Sequence, residues 1–165
     1  MERLLKWIEI PIHALMGLGL LAAFLMMMLV SADVAARTVL NSPIEGTTEI
    51  VAAYFMVAVA YLPWAWVTRN IGHIRVEMFT SFASPRFVEW LDIAVKCLTV
   101  LYLSFFVWRA IVRALDQMRS AEVWQAGTKY LLIWPSRWVL PVAGGLMILY
   151  LVLRIAADVA AAVRR

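Results

Sequence analysis

The chain reads as an all-α integral membrane protein: four transmembrane helices, with an amphipathic interfacial helix between helices 2 and 3. Three observations predict this class. Hydrophobic residues make up 64% of the 165 and charged residues 16%, whereas soluble domains carry about 45–50% and about 25%. Mean hydropathy is +0.83. The charges are also unevenly spread, falling between four long apolar runs. The most polar break, Arg69–Glu77, divides those runs into two pairs and sets Ile71, Ile74 and Val76 between charged or polar neighbours.

The expected organisation is one membrane domain, residues 1–165, with spans at about 10–36, 49–68, 88–112 and 131–157 and an interfacial segment at 70–84. The first span opens after a short charged segment in which Trp7 is placed as an interfacial anchor. From Ile10 to Ala32 there is no formal charge, and a spanning helix needs about 20 apolar residues. That run exceeds the h-region of a cleaved signal peptide, about 7–15 residues, so the segment reads as a retained helix. Pro11 is expected near its start, where a missing N–H costs little. Gly17 and Gly19 remove side-chain bulk and would admit a neighbouring helix closely. Asp33 and Arg37, four residues apart, share one helix face and can neutralise each other at the membrane boundary.

Asn41-Ser42-Pro43 is turn chemistry. The second run, Ile50 to Val67, carries no charge; Thr47 or Thr48 is expected to cap its start, with Glu49 in the first turn. Pro63 predicts a kink, and Trp64 and Trp66 an aromatic belt at the exit. After the polar break, Ile71, Ile74, Met78 and Phe82 recur at near-helical spacing, which suits a short helix lying in the interface. The third span is the least clean, because Glu89, Asp92 and Lys96 enter it. A charge at the bilayer centre costs about 2.5–3.5 kcal/mol on the insertion scale, so these residues should lie near one end or face another helix. Asp92 and Lys96 are again four apart and can pair; Arg109 and Arg113 can snorkel at the other end. Residues 114–130 read as the largest polar loop. Pro135, Pro141 and Gly144-Gly145 predict an irregular fourth helix.

Basic residues flanking the spans account for the net charge of +4 without a nucleic-acid partner. With both termini and the 69–86 loop on the cytoplasmic side, eight basic residues lie inside and six outside, with Lys96 left out; both termini inside is the expected orientation. The single cysteine, Cys97, excludes an internal disulfide and a cysteine metal site, and reads as a small packing hydrophobe. His13 and His73 invite a haem reading, but His73 sits in a polar loop and both read as interfacial polar residues. Glu49 invites a proton-coupled exporter reading, yet the first helix carries no acid in its middle. No nucleotide loop, Ser/His/Asp set or metal cluster is present, so no enzyme activity is expected and no cofactor is assigned.

Three segments resemble one family. Arg37-Thr38-Val39-Leu40-Asn41-Ser42-Pro43 with Thr48-Glu49, Gly72-His73-Ile74-Arg75-Val76-Glu77, and Trp134-Pro135 through Pro141 and Gly144 are similar to the DctQ-type small membrane subunit of tripartite ATP-independent periplasmic (TRAP) transporters. The chain departs from the family pattern at Thr48, at Val59-Ala60 and at Glu77. The resemblance implies a secondary importer of three parts: a periplasmic substrate-binding protein, a large membrane subunit and this small one, in a bacterial inner membrane. It implies uptake of an organic acid, with sodium coupling in the large subunit and a scaffolding role here. The residues expected at subunit contacts are Gly17, Gly19, Asp33, Arg37, Glu49, His73 and Arg75. The alternatives are an independent four-helix exporter or channel, or a haem-bearing membrane anchor of a redox enzyme.

Overall fold

A computed structural model describes residues 2–71, 85–126 and 129–163. Four helical segments are long and apolar enough to cross a membrane: Trp7–Val39, Thr47–Asn70, Trp90–Arg119 and Trp134–Ala160. Helix α1, Glu2–Val39, begins earlier than expected, so Pro11 lies well inside it. The ring there removes one backbone donor, that facing the Trp7 carbonyl.

The second span is assembled from pieces. Helix α2 (Thr47–Ile50) passes into a π turn (Val51–Phe55), then α3 (Met56–Tyr61), and after a break at Leu62-Pro63 into α4 (Trp64–Ile71). The expected kink at Pro63 is therefore present as an interruption, at the residue with no N–H to donate. Neither Thr47 nor Thr48 caps this span. Its N-cap is Gly46 at φ 82°, a left-handed conformation that glycine adopts without strain. Thr47 instead donates its hydroxyl to the Ile44 carbonyl at 3.0 Å.

Helix α5, Pro85–Arg119, carries the third span deep into what reads as a polar loop. It closes with Ala121 at φ 48°. Glu122 N–H donates to the Gln117 carbonyl at 3.1 Å and Ala121 N–H to Met118 at 3.4 Å, the paired bonds of a Schellman end. An antiparallel hairpin follows, β1 (Val123–Ala126) against β2 (Lys129–Leu132), in the register Val123 to Leu132 and Trp124 to Leu131. Residues 114–130 are thus mostly ordered helix and hairpin. A 3-10 turn, Trp134–Trp138, holds Pro135, and α6 (Val139–Val163) then runs without interruption. The irregularity expected of the fourth span is confined to that turn. The expected interfacial helix at 70–84 falls almost wholly outside the described residues.

Helix α6 occupies the middle of the bundle, touching α1, α3, α4 and α5. The core is thin, with Ile12, Leu103, Val107, Ile133 and Leu151 among its buried apolar residues. Most large apolar side chains, such as Leu21, Phe24 and Met27 on α1 and Leu98, Leu101 and Phe105 on α5, face outward. Cys97 also faces outward, not into the packing. Between α5 and α6 the approach is set by Gly144: a Cβ there would stand 2.6 Å from Val107 Cγ2. Valine on a helix is held in one χ1 rotamer and cannot swing away. At Gly145 nothing lies within 4 Å of the same position.

These two adjacent glycines should separate in unfolding experiments in detergent. Gly144→Val is expected to lower stability by about 1–3 kcal/mol through overpacking. Gly145→Ala is expected to cost nothing, because alanine is the better helix former. Equal losses at both would contradict the close approach at Gly144.

Candidate functional site

At three places charged groups of the spans are paired within the chain. At the end of α1, Asp33 is buried and accepts from Arg37 Nε at 2.7 Å through Oδ2 and from the Ile44 N–H at 2.8 Å through Oδ1. The expected pair at this boundary is present, and the backbone bond to Ile44 adds a second task. It folds the chain back toward the second span, past Asn41 at φ 51°. Asparagine tolerates that left-handed conformation better than most residues. Glu49 lies in the first turn of α2, half-buried.

At the opposite end of the same two spans, Arg69 joins them. Its Nη2 meets Glu9 Oε1 at 2.9 Å and its Nη1 donates to His13 Nε2 at 2.7 Å. An arginine can only donate, so His13 accepts through Nε2 with its proton on Nδ1. His73 and Arg75 lie outside the described residues.

The third place lies between α5 and α6. Lys96 is buried on α5 and its Nζ donates to Asp92 Oδ2 at 2.6 Å, one turn away, and to Asp158 Oδ2 at 2.7 Å on α6. Arg154 Nε stands 3.6 Å from the other oxygen of Asp158. Among the described residues two cations and two carboxylates thus meet and tie two helices. The sequence spacing found the Asp92–Lys96 half; Asp158, 62 positions away, carried no local signal.

The two glycines on α1 differ. The Cβ position of Gly19 would lie 3.3 Å from Pro63 Cγ, so Gly19 admits this chain's own second span. Around the Cβ position of Gly17 nothing lies within 4 Å.

A cleft of about 380 Å³ opens where the start of the second span, the end of α5 and the 3-10 turn converge. The hairpin is fastened beside it. Tyr54 donates its hydroxyl to the Leu132 carbonyl, Ile133 N–H donates to the Glu122 carbonyl at 2.9 Å, and Gly46 sits 3.3 Å, as a built Cβ, from Ala126. Arg137 holds Glu122 through two bonds, Nε to Oε2 at 3.2 Å and Nη2 to Oε1 at 3.1 Å. Arg109 and Arg113 also line the cleft, and no carboxylate among the described residues stands within 4.0 Å of either. Sequence reading assigned this pair to snorkelling and gave no sign of the cleft, which needs three separate elements to exist.

Among the described residues no group of three or more His, Cys, Asp or Glu side chains is placed to hold a metal. The arrangement as a whole offers paired charges that fix helices, and an outward apolar surface.

A family model described as "Tripartite ATP-independent periplasmic transporters, DctQ component" matches residues 26–161. No curated protein and no solved structure matches the chain significantly.

Removing Lys96 alone should destabilise the protein more than removing the whole charged group. Lys96→Met is expected to cost about 1–3 kcal/mol, because two half-buried carboxylates lose the cation they share between α5 and α6. Adding Asp92→Asn and Asp158→Asn to it should recover most of that loss. Denaturation in detergent reads both, and a neutral Lys96→Met would contradict the structural role.

Proposed function

The chain belongs to the DctQ family, the small component of tripartite ATP-independent periplasmic transporters, and on that footing we propose that it is a non-catalytic scaffold for the large transport subunit. In this reading the large subunit carries out ion-coupled uptake, with sodium as the coupling ion. The cargo is an organic acid delivered by a periplasmic binding protein. The protein then lies in a bacterial inner membrane with both termini in the cytoplasm.

The observation that carries the proposal is the way the spans use their charges. Asp33, Lys96, Asp92, Asp158 and Arg69 all take partners within the chain. Intramembrane charges in a translocation path face a cavity or a water-filled route. These five hold helices together; Arg109 and Arg113, near the end of α5, line a cleft instead. The surface left over is long, apolar and only lightly packed within the chain: at most 22% of any spanning window is buried. Such a surface is suited to lipid and to another membrane subunit, where association depends on small residues and close backbone approach.

Gly17 on the first span is suited to that contact, since nothing lies within 4 Å of its Cβ position. Arg37, more than half exposed beside its Asp33 partner, and Glu49 are available at the end facing the binding protein. His73 and Arg75 are assigned to docking of the connecting segment against the large subunit. Gly19 and Asp33 support the contact indirectly, by setting the shape of the first two spans.

Co-purification with the large subunit tests the proposal. Gly17→Leu should reduce recovery of the pair several-fold while the thermal stability of the chain itself stays unchanged, because the new side chain meets nothing of its own fold. His73→Ala should weaken assembly before it alters substrate affinity. A stable lone chain, beside a large subunit that transports at full rate without it, would overturn the scaffold reading.

A further inference from the structure

We propose that the cleft between the second span, α5 and the 3-10 turn is a binding site for an anionic phospholipid, with its phosphate on Arg109 and Arg113. The site goes beyond the scaffold reading and belongs to the isolated chain, so it stands or falls apart from transport.

The two arginines are four residues apart and share one face of α5. Both line the cleft. Arg137 beside them is already neutralised by Glu122, so among the described residues the uncompensated charge of the site comes from this pair. Guanidinium groups recognise phosphate by planar, two-pronged hydrogen bonding. Two of them one turn apart match a single phosphodiester better than they match each other's company.

The charged lining of the cleft lies at one end, carried by α5 and the 3-10 turn, and the second span adds no charge to it at any depth. On α5, Phe106 lies below Arg109 by about 4.5 Å and below Arg113 by about 10 Å at the helical rise. On the second span, which enters from the same end, Val57 and Tyr61 lie deeper than Ala52 and Ala53. On the fourth, Leu140 lies deeper than Ser136 and Arg137. The charged end coincides with Trp108, Trp124, Trp134 and Trp138, the residue type that sits at headgroup level. A ligand that fills the cleft must therefore be anionic at the hairpin end and apolar below it. A carboxylate on a soluble partner would meet only the rim and leave the apolar floor uncovered. A phospholipid meets both, its phosphate the two arginines and its acyl chains the apolar floor.

Native mass spectrometry of the full chain released from detergent is the test, with phosphatidylglycerol, phosphatidylcholine and glycerol phosphate as the probes. Phosphatidylglycerol adducts should exceed phosphatidylcholine adducts, and Arg109→Gln/Arg113→Gln should cut that preference roughly twentyfold, as expected for two basic residues acting on an anionic headgroup. Arg109→Lys/Arg113→Lys, which keeps the charge and guards against a folding defect, should retain an intermediate preference, having the charge but not the two-pronged hydrogen bonding. Leu140→Trp, which obstructs the apolar floor without touching charge, should reduce lipid adducts while leaving the arginines in place. The proposal is overturned if the glutamine variant keeps the preference, or if both lipids bind alike. It is equally overturned if glycerol phosphate binds as well as the lipid, or if the glutamine variant loses only a protein partner.

Discussion

Lys96, held between Asp92 on its own helix and Asp158 on the next, expresses the constraint on which the rest of this structure depends. A charge placed among apolar helices has to find its counter-charge inside the protein, because the surrounding medium supplies none. Meeting that requirement fixes which faces of α5 and α6 meet and at what height. Gly144 against Val107 then sets how near the two helices come. The same rule at the ends of the first two spans gives the Asp33–Arg37–Ile44 knot at one side and the Glu9–Arg69–His13 cluster at the other. Three polar joints, rather than a large core, therefore hold an otherwise thin bundle.

A bundle joined in this way keeps most of its apolar side chains for the outside. Lipid tails are as apolar as leucine, so those side chains give no net drive toward one partner. What directs association is local shape and polarity: an open glycine such as Gly17, a rim charge such as Arg37, and the hairpin that projects from the end of the helices. The hairpin is rigidly mounted, through Tyr54 to Leu132, Arg137 to Glu122 and the contact of Gly46 with Ala126. It turns what could have been a floppy connection into a fixed platform beside the basic cleft. The scaffold role proposed for this chain would need such rigid features.

Much of this was legible in the amino-acid sequence, and the physics explains which parts. The four spans were, because hydrophobic length is a local property of the chain. So were the pairs Asp33–Arg37 and Asp92–Lys96, because four residues is one turn of a single helix. Asp158 was not, since its pairing depends on how two distant helices pack. Thr47 and Thr48 drew attention away from Gly46, whose positive φ is the actual start signal of the second span. The hairpin was concealed by Asp116, Arg119, Glu122 and Lys129, which made the region look like a solvated loop. Its available sign was Gly127-Thr128 set between Val123-Trp124 and Tyr130-Leu131, a glycine-led pair between β-prone runs. Pro11 misled in the other direction: it marks a helix start by preference, yet α1 begins nine residues earlier. The cleft carrying Arg109 and Arg113 belongs to three elements at once and has no one-dimensional signature at all.

The central claim is that this chain organises transport without conducting anything itself. It is tested most directly by current recorded from vesicles on a membrane-coated sensor during a jump in organic-acid and sodium concentration, with the substrate-bound binding protein present. Vesicles holding this chain alone should give no current, and vesicles holding it with its large subunit should give a substrate-dependent one. A substrate-dependent current from this chain alone would contradict the account.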